Sequence, residues 1–155
     1  MIKQNNPMMP KAIQIWGCYF CSVLYLAEVK RQKFFQVDEA IAIYKSAMAT
    51  GIVGKEVFDK DGNLIDGCFV NDPVSLFALC GVEVGTVTRT GPEYKCAKGE
   101  HEILCYHRPA NTPSGMGNKE HTHFVAGYNG GVSFDPLGDS NTVRHGYLKS
   151  KRVFR

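Results

Sequence analysis

The sequence lacks a long hydrophobic run. No stretch approaches the ~20 apolar residues that a membrane-spanning helix needs. The first 17 residues, MIKQNNPMMPKAIQIWG, contain no apolar core of signal-peptide length, and Pro7 and Pro10 interrupt them. These absences predict a cytoplasmic protein without a membrane span.

The sequence also has little excess charge, no internal repeat, no low-complexity tract and no convincing linker. Its 155 residues carry a net charge of +3, and 44% of them are hydrophobic. This length and composition favour a single soluble domain over residues 1–155. The basic residues of the last stretch, KSKRVFR, are typical of a solvated end, whereas nucleic-acid binding needs a broader basic patch with interleaved aromatics. We therefore expect no nucleic-acid partner, and nothing in the sequence indicates an oligomeric state.

Six cysteines are present, but they are scattered through ordinary core-like sequence. In a reducing compartment such cysteines are expected to be free thiols, most of them buried. No cofactor motif accompanies them, so we expect no cofactor.

Three segments of the first half have helical character. Apolar residues recur at helical spacing from Cys18 to about Phe34. Asp38 is a plausible N-cap for a second helix, EAIAIYKSAMAT, which Gly51 ends. NDPVSLFALCG reads as a third helix with Asn71 or Asp72 at its cap. Between these helices, DKDGN at 59–63 predicts a hairpin turn, since its oxygen spacing does not fit a calcium loop.

The second half consists of short β-branched or aromatic stretches that Gly, Pro or Asn separate. The predicted strands lie in VEVGTVTR, EYKCAK, EILCYHR, HTHFVAGY and VSFDP, with TPSGMGNKE as a surface loop. Helices followed by an antiparallel sheet make an α+β fold.

Two thiols lie three residues apart in IWGCYFCS, at positions 18 and 21. A thioredoxin-type redox pair needs a strand before the motif, and only 17 residues, broken by two prolines, precede Cys18. A metal site needs further ligands, and CAKGEHEILCYH offers two cysteines and two histidines. Their spacing is not that of a zinc knuckle or ribbon, and strand alternation explains Cys105. The third interpretation is a nucleophile.

Cys18 is the better candidate nucleophile of the two. It follows Gly17, where the chain can turn sharply into a helix, so its sulfur would lie at the helix N-terminus. The amide groups and dipole there favour a thiolate. Cys21, one turn further along, is more simply a packing residue.

The base that a thiol nucleophile requires is best sought among the five histidines. His101 and His107 lie in or beside a probable exposed hairpin, and His145 lies in a polar stretch. His121 and His123 instead start a strand that returns through a second strand ending at Asp135.

The turn of this hairpin decides whether imidazole and carboxylate can meet. A three-residue loop, 129–131, would pair Tyr128 with Val132 and place Asp135 on the same face as His123, one diagonal step away. A two-residue loop would place the two on opposite faces. We predict the three-residue loop, with His123 favoured over His121 only by its distance from Asp135.

These residues resemble the papain-like cysteine peptidases, in particular the small bacterial branch similar to the double-glycine-processing peptidases of bacteriocin exporters. In that branch a glycine and the catalytic cysteine are followed, after three residues, by a small hydroxyl residue that leads into an apolar helix; here the stretch reads GCYFCSVLYL. The branch also has a His-Phe/Trp-Val strand ending at a Gly-Tyr turn, and a strand closing on Asp-Pro. These read HFVAGY and FDP.

The resemblance implies a papain-like fold with Cys18 as nucleophile, His123 as general base and acid, and Asp135 as the residue that orients the imidazole. It also implies a glutamine upstream of the cysteine as an oxyanion donor. Gln4 suits the longer lead-in of the bacterial branch better than Gln14, which lies only four residues before the cysteine.

The expected function is therefore cleavage of a peptide or isopeptide bond in a peptide or protein substrate, with no metal involved. An acyltransferase with the same residues is chemically adjacent. Two other classes stay open: a catalytically inactive binding module on the same scaffold, and a Cys-x-x-Cys oxidoreductase using Cys18 and Cys21. Substrate specificity would come from loops such as RPANTPSGMGNKE.

Overall fold

The computed structural model describes residues 1–111 and 119–155. Helices and short strands fill the first half of the described chain, and a larger sheet fills the second. In chain order the elements are α1 Lys11–Trp16, α2 Cys18–Arg31, α3 Val37–Ala49, β1 Val57–Phe58, β2 Leu64–Asp66, α4 Pro73–Leu79, β3 Val87–Thr90, β4 His101–Arg108, β5 His121–Tyr128, β6 Gly131–Phe134, α5 Asn141–His145 and β7 Tyr147–Phe154.

The main sheet has five strands in the order β3-β7-β4-β5-β6, and every neighbouring pair is antiparallel. The expected α+β arrangement, with helices before an antiparallel sheet, is confirmed. The hairpin predicted at 59–63 is also confirmed, since β1 pairs with β2 around a turn that the Asp59 carboxylate holds by accepting from the N–H groups of Asp61 and Asn63.

Helix α2 is the central element between the small helices and the sheet, and it packs mainly against β5. Six of its apolar side chains are buried together with residues from β4, β5, β6 and β7. Each Å² of apolar surface that this contact buries stabilises the fold by roughly 25 cal/mol, and this holds the helix on the sheet. The α2 members of this core are Phe20, Cys21, Val23, Leu24, Leu26 and Ala27.

The helix ends differ in part from expectation. Helix α2 ends at Arg31, not near Phe34, because Gln32 adopts a left-handed conformation with φ 53°. Helix α3 is capped by Gln36, whose side chain forms a capping box with Glu39, so the prediction of Asp38 as N-cap is wrong. For α4, the Asp72 cap is confirmed by its bond from Ser75 N.

The C-terminal stretch is a solvated basic end only in part, because Lys149 and Arg155 are exposed but Lys151 is buried. It forms β7, a strand with neighbours on both sides. Lys151 is 1% exposed, with its Nζ 3.1 Å from Glu102 Oε2 and donating to Tyr94 O at 2.6 Å. The prediction failed for Lys151 because its partner Glu102 is far away in sequence. The local run of basic residues alone therefore indicated exposure to solvent.

The segment between β3 and β4 also differs from expectation. EYKCAK is not a strand; it forms turns that the Glu100 carboxylate ties together by accepting from Tyr94 Oη and Ala97 N. The predicted surface loop TPSGMGNKE falls mostly on residues 112–118, outside the described residues.

The β5–β6 hairpin has a two-residue loop, so the predicted three-residue loop is wrong. Tyr128 pairs with Gly131 and Gly127 with Val132, but Ala126 pairs with Phe134 because β6 carries a bulge. The extra residue of a bulge shifts the register by one. Asp135, which directly follows β6, therefore regains the alignment with the start of β5 that the longer loop would have produced.

Candidate active site

Cys18 is the first residue of α2, and a tight junction places it there. Gly17 separates α1 from α2, and a Cβ at this position would lie 2.5 Å from the Ile13 carbonyl oxygen. Only glycine fits this approach, so the glycine before the cysteine is a steric requirement. The Cys18 thiol is free and half-exposed at the N-terminal end of a 14-residue helix, where the dipole and unpaired amides favour an anion.

Ser22, one turn further along α2, fastens this helix start to the sheet. Its hydroxyl donates to Cys18 O at 2.8 Å and lies 3.3 Å from Phe124 O in β5. The small hydroxyl residue of the GCYFCS stretch therefore holds the nucleophile-bearing turn against the strand that carries His123.

Asp135 and His123 are hydrogen-bonded and buried. His123 Nε2 lies 2.7 Å from Asp135 Oδ1, and His123 is 1% exposed. The carboxylate also accepts from Leu137 N at Oδ1 and from Ser140 N at Oδ2, both at 2.9 Å. Three donors thus fix its orientation, two of them from the turn that follows it in sequence.

The other side of the imidazole contacts the thiol. The Cys18 thiol lies near enough to the imidazole to raise the pKa of His123. Because Nε2 is engaged by Asp135, Nδ1 is the ring nitrogen left for the sulfur. Thiol, imidazole and carboxylate are therefore linked in series, although 105 residues separate Cys18 from His123 in the sequence.

The electrostatics of this series favour a charged imidazole. Burial alone would lower the pKa of His123, but the hydrogen bond with Asp135 and the nearby Cys18 thiol outweigh it and raise the pKa to about 9. Burial would raise the pKa of Asp135, yet the bonds from His123 and Ser140 hold it well below its usual range. At neutral pH the pair is an imidazolium beside a carboxylate, and the neighbouring sulfur faces a positive charge.

Gln4 lies in the same cleft as Cys18 and is 3% exposed. Its Nε2 donates to Gln14 O at 3.2 Å, while Gln14 Nε2 donates to Met9 O at 2.7 Å. The backbone N–H of Gln4 donates to Pro136 O, which ties the N-terminal segment to the turn after Asp135. Of the two glutamines, Gln4 is the one held beside the turn after Asp135, and the Gln14 carbonyl positions the Gln4 side chain.

The Gln4 side chain is also incompletely bonded. Its Oε1 is buried without a hydrogen-bond partner among residues 1–111 and 119–155. Its Nε2 carries a second hydrogen beyond the one given to Gln14. A buried amide with spare capacity in the cleft that Cys18 lines is able to bind a polar group of a ligand.

Cys18, His123 and both glutamines line a cleft with a volume of about 790 Å³. Apolar and aromatic side chains form much of the rest, among them Tyr19 and Phe124, whose rings meet edge-on at 4.7 Å. Such a cleft has the size and character of a site for a chain-like ligand. His121 lines it as well, but its Nδ1 lies 2.9 Å from Thr142 Oγ1, and the carboxylate partner belongs to His123 alone of the two.

Several residues of the site were not found in the sequence. Leu137 and Ser140 contribute backbone N–H groups, which no residue type reveals. The Asp-Pro-x-Gly turn of FDPLGDS was a readable signal, since Gly138 has φ +90° and its N–H donates to Asp135 O. Two arginines of the cleft, Arg89 and Arg152, were hidden because they come together only through sheet pairing.

The structure also bears on the two other interpretations of the thiols, a redox pair of Cys18 and Cys21 and a metal site. Cys18 and Cys21 are both free, and Cys21 is buried, which raises the pKa of its thiol well above the ordinary value. In the described part of the chain, no cluster of three or more His, Cys, Asp or Glu side chains could hold a metal ion. Cys96, one of the candidate zinc ligands, instead lies 3.1 Å from Glu102 Oε2.

Outside residues 112–118, no helix has the length and apolar character that crossing a bilayer requires.

Comparison with known proteins gives one match. No curated protein and no solved structure is significantly similar to the chain. One family, described as "Protein of unknown function, DUF261", matches residues 1–155. Since the match covers the full sequence, the chain belongs to this DUF261 family.

Proposed function

We propose that this protein is a thiol hydrolase of papain-like type that cleaves a peptide or isopeptide bond. The observation that carries the proposal is the half-exposed Cys18 thiol next to a His123 imidazole that is hydrogen-bonded to Asp135, with Cys18 and His123 both lining one cleft. A structural role explains a buried His–Asp pair, but it does not explain a half-exposed thiol next to that pair at a helix N-terminus.

The first half of the reaction forms an acyl-enzyme. His123 takes the Cys18 proton, and the thiolate attacks the carbonyl carbon of the scissile bond. The tetrahedral oxyanion is stabilised by the backbone N–H of Cys18 and the spare Nε2 hydrogen of Gln4. The C–N bond then breaks, and the departing amine takes its proton from the His123 imidazolium.

The second half restores the enzyme. His123 removes a proton from water, and the resulting hydroxide attacks the thioester carbonyl. The carbon–sulfur bond breaks, the acid leaves, and Cys18 recovers its proton from His123. Asp135 keeps the imidazole in the tautomer and orientation that both halves need.

Thiol reactivity tests the activated nucleophile directly. We expect iodoacetamide at pH 7 to label wild-type protein mainly at Cys18, and Cys18→Ala to lose that labelling. Cys96 is the matched control because it is also half-exposed but lacks an imidazole neighbour, and burial followed by its bond with Glu102 raises its pKa to about 12. Cys96→Ala and Cys21→Ala should therefore leave the labelling intact. Equal labelling of Cys18 and Cys96 would contradict the proposal.

Hydrolysis is tested with a proteome-derived peptide mixture read by mass spectrometry. New peptide termini should form with the wild type and be absent with Cys18→Ala and His123→Ala. Termini that persist in both variants would mean that the triad does not cleave. A disulfide between Cys18 and Cys21 that forms and reverses under mild oxidation would instead support the oxidoreductase.

A further inference from the structure

The cleft carries a pair of arginines whose positive charges the described protein does not neutralise. Arg89 in β3 and Arg152 in β7 are direct cross-strand partners, and both line the cleft that holds Cys18. Like charges directly opposite each other on a sheet are destabilising. A pair kept in this arrangement therefore calls for a reason other than stability.

Neither guanidinium has a carboxylate partner within 4.0 Å among residues 1–111 and 119–155. The remaining residues, TPSGMGN at 112–118, contain no acidic side chain that could supply one. Arg152 donates only to neutral oxygens, Ser150 Oγ at 3.1 Å and its neighbour's carbonyl at 3.4 Å. Arg89 is exposed. The acidic residue of the cleft, Asp66, accepts from Gly67 N and pairs with neither arginine.

Two aromatic rings, those of Tyr19 and Phe124, lie between Cys18 and Arg152. Tyr19 directly follows Cys18, its ring lies 4.7 Å from that of Phe124, and the Arg152 guanidinium lies 5.6 Å from the centroid of the Phe124 ring. An extended peptide advances about 3.3 Å per residue. The Arg152 guanidinium therefore lies no farther from the Tyr19 ring than these two distances combined, a span that an extended chain of about three residues covers.

We propose that Arg89 and Arg152 form a subsite for a carboxylate of the substrate, within a few residues of the bond that Cys18 attacks. Guanidinium groups bind carboxylates through paired, charge-assisted hydrogen bonds. The carboxylate is either an Asp or Glu side chain or the free C-terminus of a peptide. This inference rests on the proposed function, because it assigns the specificity of the same cleft.

Thiol-directed peptides test the subsite without requiring turnover. One series is iodoacetyl-Gly-Gly-Asp-amide and its Asn counterpart, with iodoacetyl-Gly-Gly-Gly as free acid and as amide. A second series reverses the direction, with acetyl-Asp-Gly-Gly-chloromethyl ketone and its Asn counterpart. The rate of Cys18 alkylation is measured by intact mass, and the acid-to-neutral rate ratio is the readout.

We expect a ratio of about tenfold in one of the two directions, since a charge-assisted pair contributes on this order. The ratio should fall towards one in Arg152→Gln and Arg89→Gln and decline with added salt. Arg144→Gln is the matched control, because this exposed arginine of α5 pairs with Asp139 and does not line the cleft. A preference for Asp identifies an acidic side chain, and a preference for the free acid over its amide identifies a C-terminus.

A ratio near one in every series, or an unchanged ratio in both arginine variants, would overturn the subsite. This result is separable from the proposed function, which the absolute rate with plain iodoacetamide decides. Should Arg152→Gln fail to fold, the exposed Arg89 still carries the test. Because like charges oppose each other here, Arg89→Gln should unfold at the wild-type temperature or above. A lower unfolding temperature would indicate a structural role and count against the subsite.

Discussion

The charge of Asp135 is the feature on which the state of the site depends most, and Asp135→Asn removes it with little change in shape. The asparagine Oδ1 can still accept from the imidazole and from Leu137 N. The negative charge beside a 1% exposed ring is lost, and so is the bond from Ser140 N, because the amide nitrogen that replaces Oδ2 cannot accept. Ser140→Pro, which removes that N–H but keeps the carboxylate, shows how much of the effect comes from the turn.

The magnitude follows from the pKa of His123. Burial lowers it, and the partners raise it from 6.5 to about 9. This difference corresponds to roughly 3 kcal/mol in favour of the imidazolium. Without the carboxylate charge, only the Cys18 contact still opposes burial, and the pKa should fall towards 6.5. At pH 7.5 the protonated fraction would then drop from nearly all to about a tenth.

Two measurements check this change. If the imidazolium stabilises the thiolate, iodoacetamide labelling of Cys18 at pH 7.5 should slow about tenfold in Asp135→Asn, a factor equal to the fall in protonated His123. The difference should close above about pH 9.5, where the wild-type imidazole is neutral as well. Asp139→Asn is the control, because Asp139 lies in the same segment but is exposed and pairs only with Arg144.

Stability gives the second readout. A group whose pKa is raised by folding stabilises the protein below its unfolded pKa and loses that contribution as the pH rises through the folded value. The wild-type free energy of unfolding should therefore decline between pH 6.5 and about 9. This decline should be absent in Asp135→Asn. If the wild type and Asp135→Asn had the same pH profile of labelling and the same pH profile of stability, the reasoning would be refuted.

Three further predictions concern single contacts. Gln4→Ala should lower kcat for peptide hydrolysis by about 10²-fold or more, with little change in iodoacetamide labelling, since alkylation forms no oxyanion; equal losses in both assays would contradict this. Gly17→Ala should destabilise the fold by about 1–3 kcal/mol in urea titration, because its Cβ would overlap a backbone carbonyl. Gly85→Ala should not, because its Cβ would meet only Arg155 O, at an ordinary contact distance of 3.8 Å. Lys151→Met should cost about 3–5 kcal/mol by leaving Glu102 buried and unpaired, and the double variant with Glu102→Leu should recover most of it; additive losses would count against a true pair.

The sequence indicated the local parts of this site because each depends on near neighbours. A glycine before a cysteine at a helix start predicted the exposed thiol of Cys18, and the predicted α+β order is that of the structure. The alternation of HTHFVAGY likewise predicted β5. The roles of Cys18, His123, Asp135 and Gln4 in catalysis stay predictions.

The β5–β6 hairpin shows where local reasoning reached a correct juxtaposition by a wrong route. Both the longer loop and the observed bulge add one residue to the return strand, so either aligns Asp135 with His123. Sequence patterns do not distinguish the two, because a bulge changes the pairing of one residue and not the polarity of the strand.

Only the tertiary structure decided how the charged C-terminal strand is used. Lys151 is buried because Glu102 meets it across the sheet, and Arg152 lines the cleft because β7 lies between β3 and β4. The physical reason is that the energy of a charge depends on its distance from other charges and from water, and folding sets both. Local sequence thus predicted most of the helices and strands and the position of Cys18 at a helix start. The pairing of the strands decided which charged side chains meet, as Lys151 and Glu102 do, and which ones, like Arg89 and Arg152, have no acidic partner among the described residues.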